Sequence, residues 1–291
     1  MYVYMNGQFI EKDKVAISPF DHGFLYGLGV FETFRIYNGH PFLLEDHLER
    51  LNSSLDILNI EAAFTREQTT ENLNLLLAKN DLRDAYIRFN VSAGNGEIGL
   101  QTERYNNPNI IVFAKSLPPA GGMSEKKAVL MDLPRNTPEG SERLKSHHYL
   151  NNVLAKREVG PAMNREGIFL TRDGVLSEGI VSNVFWYKDG TLFTPSVETG
   201  ILNGITRRFV IALARNAGIE VREGFYKKEE AESADELFLT NSIQEIVPVT
   251  EFEGKSFPGK SGELVNLLFG QYAAYRETLW SRTQLDGGAH T

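Results

Sequence analysis

The sequence predicts an α+β protein of two domains, each mostly antiparallel sheet with helices. Three observations carry this. Short apolar runs are joined by Asn6-Gly7, Asn38-Gly39, Asp173-Gly174 and Asp189-Gly190. Such dipeptides accept positive φ at both central positions of a tight turn and so signal hairpins. Each half of the chain also carries apolar residues at helical spacing. Between the halves lies Leu117-Pro118-Pro119-Ala120-Gly121-Gly122, where paired prolines and glycines follow a completed strand as in a linker. The expected division is a smaller N-terminal domain over 1–116, a linker over 117–122, a larger C-terminal domain over 123–285 and a flexible tail over 286–291.

In the first half, residues 2–5 and 8–10 flank the first hairpin turn. Gly23, Gly27 and Gly29 crowd the segment before Phe31, Thr33 and Arg35, which alternate as a strand. The glycines suit either a tight turn or a wall that a ligand approaches closely. No helix follows directly, so this is not a phosphate cradle. Leu48, Leu51, Leu55 and Leu58 mark a helix, with Arg50 well off its apolar stripe and close to His47 and Ser54. A second helix is expected from Thr65 to Asn80, then strands over 85–93 and 109–114.

In the second half, strands are expected over 127–132, 167–171, 175–178, 184–187, 192–194, 236–240 and 246–252. Helices are expected over 206–217 and 264–279.

The chain has 291 residues, 42% of them hydrophobic, a net charge of −8 and no cysteine. That is enough apolar content for real cores and leaves no thiolate metal site or disulfide. No basic run interleaved with aromatics points to nucleic acid. The N-terminal residues lack a basic start and an apolar run, and no apolar stretch approaches the ~20 residues that span a bilayer. A cytoplasmic protein is expected, with no membrane or nucleic-acid partner. Neither His147 nor His148 has a partner at metal-ligand spacing, so no metal is expected.

Lys145 stands between a polar, turn-rich segment, 134–141, and a stretch with helical spacing, Leu150, Val153 and Leu154. A lysine at a helix mouth is either solvated or, with the macrodipole lowering its pKa, reactive enough to form a Schiff base. Gly204-Ile205-Thr206 runs into a helix, where Thr206 is either an N-cap or a donor to a bound anion. Ser242 and Glu245 match a capping box; Asn241 and Ser242 also offer amide and hydroxyl donors. Glu178 closes a hairpin, where a carboxylate is ordinarily exposed. An amine, two hydroxyl-bearing anion sites, an arginine and a carboxylate are what pyridoxal phosphate requires.

The chain resembles the class IV, fold-type IV pyridoxal-phosphate enzymes. These include branched-chain aminotransferases, D-amino-acid aminotransferases and aminodeoxychorismate lyases. The resemblance covers nearly the whole chain. It rests on Gly27–Glu32, His47-Leu48-Glu49-Arg50-Leu51, Lys145, Ser177-Glu178-Gly179 with Ser182-Asn183, Gly204-Ile205-Thr206-Arg207 and Asp235–Ser242. It implies two α+β domains with pyridoxal 5′-phosphate in the cleft between them, and a homodimer completing the site. It implies that Lys145 forms the Schiff base, that Glu178 pairs the ring nitrogen, and that Arg50, Ile205, Thr206 and Ser242, beside Asn241, hold the phosphate. Phe24, Tyr26, Phe31 and Tyr149 would flank a flat substrate.

The phrasing around Gly29–Arg35 and Leu144–Glu158 looks most like bacillus-type lyases, which convert 4-amino-4-deoxychorismate to p-aminobenzoate and pyruvate in folate biosynthesis. The alternative is a class IV aminotransferase acting on D-amino or branched-chain amino acids. Against it, Phe89–Gly94 lacks the Arg-x-His pair of D-amino-acid enzymes. His147-His148-Tyr149 also replaces the Gly-Asn-Tyr of branched-chain enzymes.

Overall fold

The structure, a computed structural model, describes residues 1–288. The chain divides into two compact units. Unit 1 comprises Met1–Ala120, Leu144–His148 and Arg276–Gln284; unit 2 comprises Gly121–Arg143, Tyr149–Tyr275 and the remainder from Leu285. Of the tail expected over 286–291, residues 289–291 lie outside the described residues. No helix among those described is long and apolar enough to cross a membrane.

Unit 1 contains β1 (Tyr2–Met5), β2 (Gln8–Glu11), α1 (His22–Tyr26), β3 (Gly29–Tyr37), β4 (His40–Pro41), α2 (Leu44–Ile57), α3 (Arg66–Asn80), β5 (Ala85–Ser92) and β6 (Asn109–Ser116). The strands form one antiparallel sheet in the order β2-β1-β6-β5-β3-β4. Both hairpin dipeptides behave as expected: φ is 48° and 87° at Asn6-Gly7, and 50° and 88° at Asn38-Gly39. Thr65 caps α3 by accepting the Gln68 N–H at 3.3 Å. Alternation along β3 sends Val30, Phe34 and Ile36 into a core shared with Leu48, Leu51 and Leu55 of α2 and Leu73, Leu76 and Leu77 of α3. Phe31 therefore points to the opposite face.

Unit 2 contains β7 (Lys126–Leu130), α4 (Leu150–Val159), β8 (Arg165–Leu170), β9 (Leu176–Gly179), β10 (Asn183–Lys188), β11 (Thr191–Pro195), α5 (Ile205–Asn216), β12 (Glu220–Gly224), α6 (Lys228–Glu232), β13 (Glu236–Asn241), β14 (Glu245–Phe252), β15 (Lys255–Ser256) and α7 (Glu263–Tyr275). The main order is β12-β11-β10-β13-β14-β7-β8-β9, with β15 on β14. Three neighbouring pairs are parallel, β11–β12, β14–β7 and β7–β8, and the rest are antiparallel. One core cluster gathers Val184, Trp186, Leu237, Leu239, Val247 and Val249. α5 and α7 meet through Phe209 and Tyr272, whose rings lie edge to face at 5.5 Å.

Two helices depart from expectation. The apolar stripe read at the start of α4 does not face a core: Leu150, Val153 and Leu154 are 68%, 42% and 40% exposed. Asn152 turns inward instead, accepting from Arg135 and donating to the Ile180 carbonyl. α7 stops at Tyr275 because residues 276–284 join unit 1.

Candidate active site

Lys145 does not sit at a helix mouth. Its segment is extended and pairs with the open edge of β3: the Phe31 N–H donates to the Lys145 carbonyl at 2.9 Å, and the His147 N–H to the Gly29 carbonyl at 3.0 Å. α4 begins only at Leu150, so Lys145 lies outside the reach of its macrodipole, whose field falls off within one turn. Leu144 anchors the segment by packing on the unit 1 core. Alternation then puts Lys145 on the same face as Phe31, its cross-strand neighbour, with its ammonium 4.7 Å from the ring centroid.

The close backbone approach suggested by the glycines is found here. A Cβ on Gly29 would lie 2.6 Å from the His147 ring and 2.7 Å from the Val91 carbonyl, and one on Gly27 would lie 2.6 Å from the His148 ring. His147 is pushed down to a pKa of about 4 by burial, with Arg88 adding to the effect. It is a neutral ring at physiological pH.

Arg88 was not singled out by sequence. It lies on β5, one position before the run that lacks an Arg-x-His pair, and its guanidinium stands 3.7 Å from the Phe31 centroid. Phe31 is 2% exposed and bears two cations, Arg88 and Lys145. The missing Arg-x-His pair therefore does not leave this strand without a cation.

On the helix-covered face, Glu32 accepts from Arg50 Nε and Nη2, each at 2.7 Å, and from His47 Nδ1 at 2.6 Å. Burial alone would raise the Glu32 pKa, but the Arg50 and His47 charges and hydrogen bonds outweigh it and hold the carboxyl at about 2. His47 is pushed down by burial against the pull of Glu32, and acts as a neutral Nδ1–H donor. Arg50, expected off its helix's apolar stripe, is thus fixed side-on by a carboxylate that occupies two of its five donors.

In unit 2, Glu178 is 4% exposed, contrary to the exposed carboxylate expected at a hairpin end. Its Oε1 takes Arg135 Nε at 2.9 Å and Nη2 at 2.8 Å, with Arg143 Nε at 3.6 Å. Its Oε2 takes the Leu202 N–H at 2.9 Å. Arg135 is held in turn by Asn151 at 2.7 Å. Arg143 donates to the Gly200 carbonyl at 2.5 Å; its pKa falls to about 10 through burial and the Arg135 charge. Arg135 and Arg143 gave no sequence signal, because a partner as distant in the chain as Glu178 follows no local pattern.

Thr206 is the second residue of α5, not its N-cap. Gly204 takes that place and no side chain caps the helix. The first amides of α5, Ile205 and Thr206 among them, are helix-terminal donors. Thr206 Oγ1 lies 3.2 Å from Ser242 Oγ. Ser242 heads no capping box: Asn241 Oδ1 accepts the Ile243 and Gln244 amides at 3.0 and 2.8 Å, making a tight turn from β13 into β14.

Phe24 is 67% exposed. Tyr26 accepts the Gly99 N–H at 2.8 Å. Tyr149, half-buried, directly precedes α4.

These donor sets fit a phosphorylated pyridine aldehyde. An uncapped helix end with two adjoining hydroxyls suits a phosphate dianion, a buried carboxylate suits a ring N–H, and a strand-held lysine suits an aldehyde.

The fold and these residues define a class, and the chain belongs to it: residues 29–252 match the amino-transferase class IV family. Among individual proteins, the chain is 48% identical to the aminodeoxychorismate lyase of Bacillus subtilis strain 168, over 91% of this chain and 92% of that one. It is 32% identical to the D-alanine aminotransferase of Bacillus licheniformis, covering 88% and 90%. The Escherichia coli branched-chain amino acid aminotransferase superposes with a TM-score of 0.84 at 29% identity, covering 96% of each chain. A further branched-chain amino acid aminotransferase, complexed with N-(5′-phosphopyridoxyl)-L-glutamate, gives 0.84 at 27%, covering 95% and 94%.

Proposed function

We propose that this chain is a pyridoxal 5′-phosphate-dependent lyase that converts 4-amino-4-deoxychorismate to p-aminobenzoate and pyruvate, a step of folate biosynthesis. The observation that carries the reading is the 48% identity to a lyase, against 39% to a putative branched-chain-amino-acid aminotransferase of Methanocaldococcus jannaschii and 32% to a D-alanine aminotransferase, each over most of the chain. Lys145 would hold the cofactor aldehyde, Glu178 the ring nitrogen, and Arg50, Ile205, Thr206, Asn241 and Ser242 the phosphate. When bound, the cofactor supplies a carbonyl that condenses with the substrate amine and a protonated ring that withdraws electrons from the adjacent carbon.

The chain's own residues then move protons and hold the substrate. The Lys145 amine takes the proton from C4 of the substrate. As the C3–O bond breaks, a proton returns to the methylene of the departing enolpyruvyl group, giving pyruvate and an aromatic ring. Arg88 supplies a cation for a substrate carboxylate, and the face of half-buried Tyr149 suits a flat ring; Phe31, buried beneath Arg88 and Lys145, supports those two cations instead. Phe24 and Tyr26, both exposed, are assigned in this reading to the same substrate.

A homodimer in the cytoplasm goes with this reading. Phe24, Ile98 and Leu100 of unit 1 and Leu150 of α4 are among the exposed large apolar side chains available to a second copy. Light scattering at twice the chain mass would bear it out.

The test is side-by-side steady-state kinetics: pyruvate release from 4-amino-4-deoxychorismate against amino transfer from D-alanine and L-leucine. The lyase rate should exceed transfer by several powers of ten, each on the order of 1.4 kcal/mol in barrier. Comparable rates would favour the aminotransferase reading.

A further inference from the structure

Unit 2 holds a buried ion pair that the reaction does not use. Lys126, on β7, and Glu166, on β8, are 8% and 4% exposed, and Lys126 Nζ donates to Glu166 Oε2 at 2.8 Å. Each partner reaches one further segment. Lys126 Nζ donates to Gln244 Oε1 at 3.0 Å, and that oxygen also accepts from Asn241 Nδ2 at 3.2 Å. Glu166 Oε1 accepts the Val181 N–H at 3.1 Å and the Ser182 hydroxyl at 3.2 Å. Gln244 closes the turn that carries Ser242. Ser182 closes the turn that follows Glu178, where the Gly179 N–H donates to the Ser182 carbonyl at 2.7 Å. That turn has no slack: a Cβ on Gly179 would lie 2.1 Å from Ser182 Oγ and 3.2 Å from Glu166 Oε1.

A buried ion pair is poor evidence for stability, because desolvation offsets most of its attraction; its best-attested use is to fix register. Here it forms one continuous polar path between the turn next to Glu178 and the turn of Ser242. A rigid cofactor has one distance from ring nitrogen to phosphate, so a site grips both ends only if two such turns keep one separation. Resting on the proposed cofactor-binding roles of Glu178 and Ser242, we propose that Lys126 and Glu166 are positioning residues. Through Gln244 and Ser182 they couple the ring-nitrogen end of the cofactor site to its phosphate end.

The experiment titrates cofactor-free protein with pyridoxal 5′-phosphate and follows absorbance and fluorescence quenching. It compares the parent with Gln244→Ala, Ser182→Ala and the double variant, and records thermal melting of each cofactor-free form. Neither substitution disturbs the ion pair itself. Each single variant should weaken cofactor binding about tenfold with unchanged melting. The double variant should lose little more than the weaker single, because residues in one network are non-additive. Lys126→Met/Glu166→Leu, which removes both charges together, should melt as a folded protein and show the same loss.

Unchanged affinity in all variants, or single losses that multiply in the double variant, would overturn the coupling. A parent that takes up no cofactor would sink the proposed function and this inference with it. A parent that binds while its variants lose nothing sinks this inference alone.

Discussion

At the scale of single residues, residue type combined with spacing singled out Lys145 and Glu178; their partners it could not show. Glu178 is gripped by Arg135 and Arg143, and a neutral amide there would still hydrogen-bond a ring nitrogen without favouring its protonation. Glu178→Gln should therefore keep the cofactor yet lose roughly a hundredfold or more in turnover, as removal of a charge-stabilising group at a reacting centre does. Near-parental turnover would remove Glu178 from the chemistry. Glu32 makes a stability prediction. Its carboxyl falls from 4.5 to about 2 in the folded protein, so it stabilises the fold by on the order of 3 kcal/mol above pH 4.5. That contribution fades as pH falls through 4.5 towards 2. His47, pushed below 6.5, works in the same direction, because below that pH the unfolded chain takes up a proton that the folded chain resists. Urea unfolding should find Glu32→Gln destabilised by about 3–5 kcal/mol at pH 7, as expected when one member of a buried pair is lost. The gap should narrow near pH 3, and a constant gap would show that Glu32 is not titrating in that window.

At the scale of elements, local chemistry was legible wherever it was sufficient. Thr65 and the leucines after it marked α3 to within a residue of its start at Arg66, and the Asn-Gly turns set the hairpins of unit 1. It failed where a distant partner decides the outcome. Leu150, Val153 and Leu154 gave the helical spacing of α4, but Asn152 took the inward face to meet Arg135 and Ile180. The Lys145 segment read as a helix entrance, but the free edge of β3 made it a strand partner. That pairing depends on Gly29. A methyl there meets a backbone carbonyl, which cannot swing aside, as well as the His147 ring. Gly29→Ala should push the Lys145 segment off β3, costing about 1–3 kcal/mol in stability and a larger fraction of turnover. Hydrogen exchange of the Phe31 and His147 amides reports the pairing directly; protection equal to the parent's would refute it.

At the scale of the whole molecule, the order of motifs along the chain was enough for the family, because the cofactor's needs are met by short patterns in fixed sequence order. The membership of unit 1 was not legible, since no local signal ties residues 276–284 to a sheet that begins at Tyr2. Yet they are built into it: the Leu43 and Glu45 amides donate to the Leu279 and Trp280 carbonyls at 3.1 and 3.0 Å, and the Trp280 ring meets His40 edge to face at 4.5 Å. A fragment of residues 1–120 should therefore lack cooperative unfolding and amide protection in β3 and α2; a sharp melting transition from that fragment would contradict this. During synthesis the ribosome releases β3 and α2 long before the residues that finish them. The first-made part of unit 1 therefore has to wait, incompletely closed, while the whole of residues 149–275 is made, before residues 276–284 arrive to finish it.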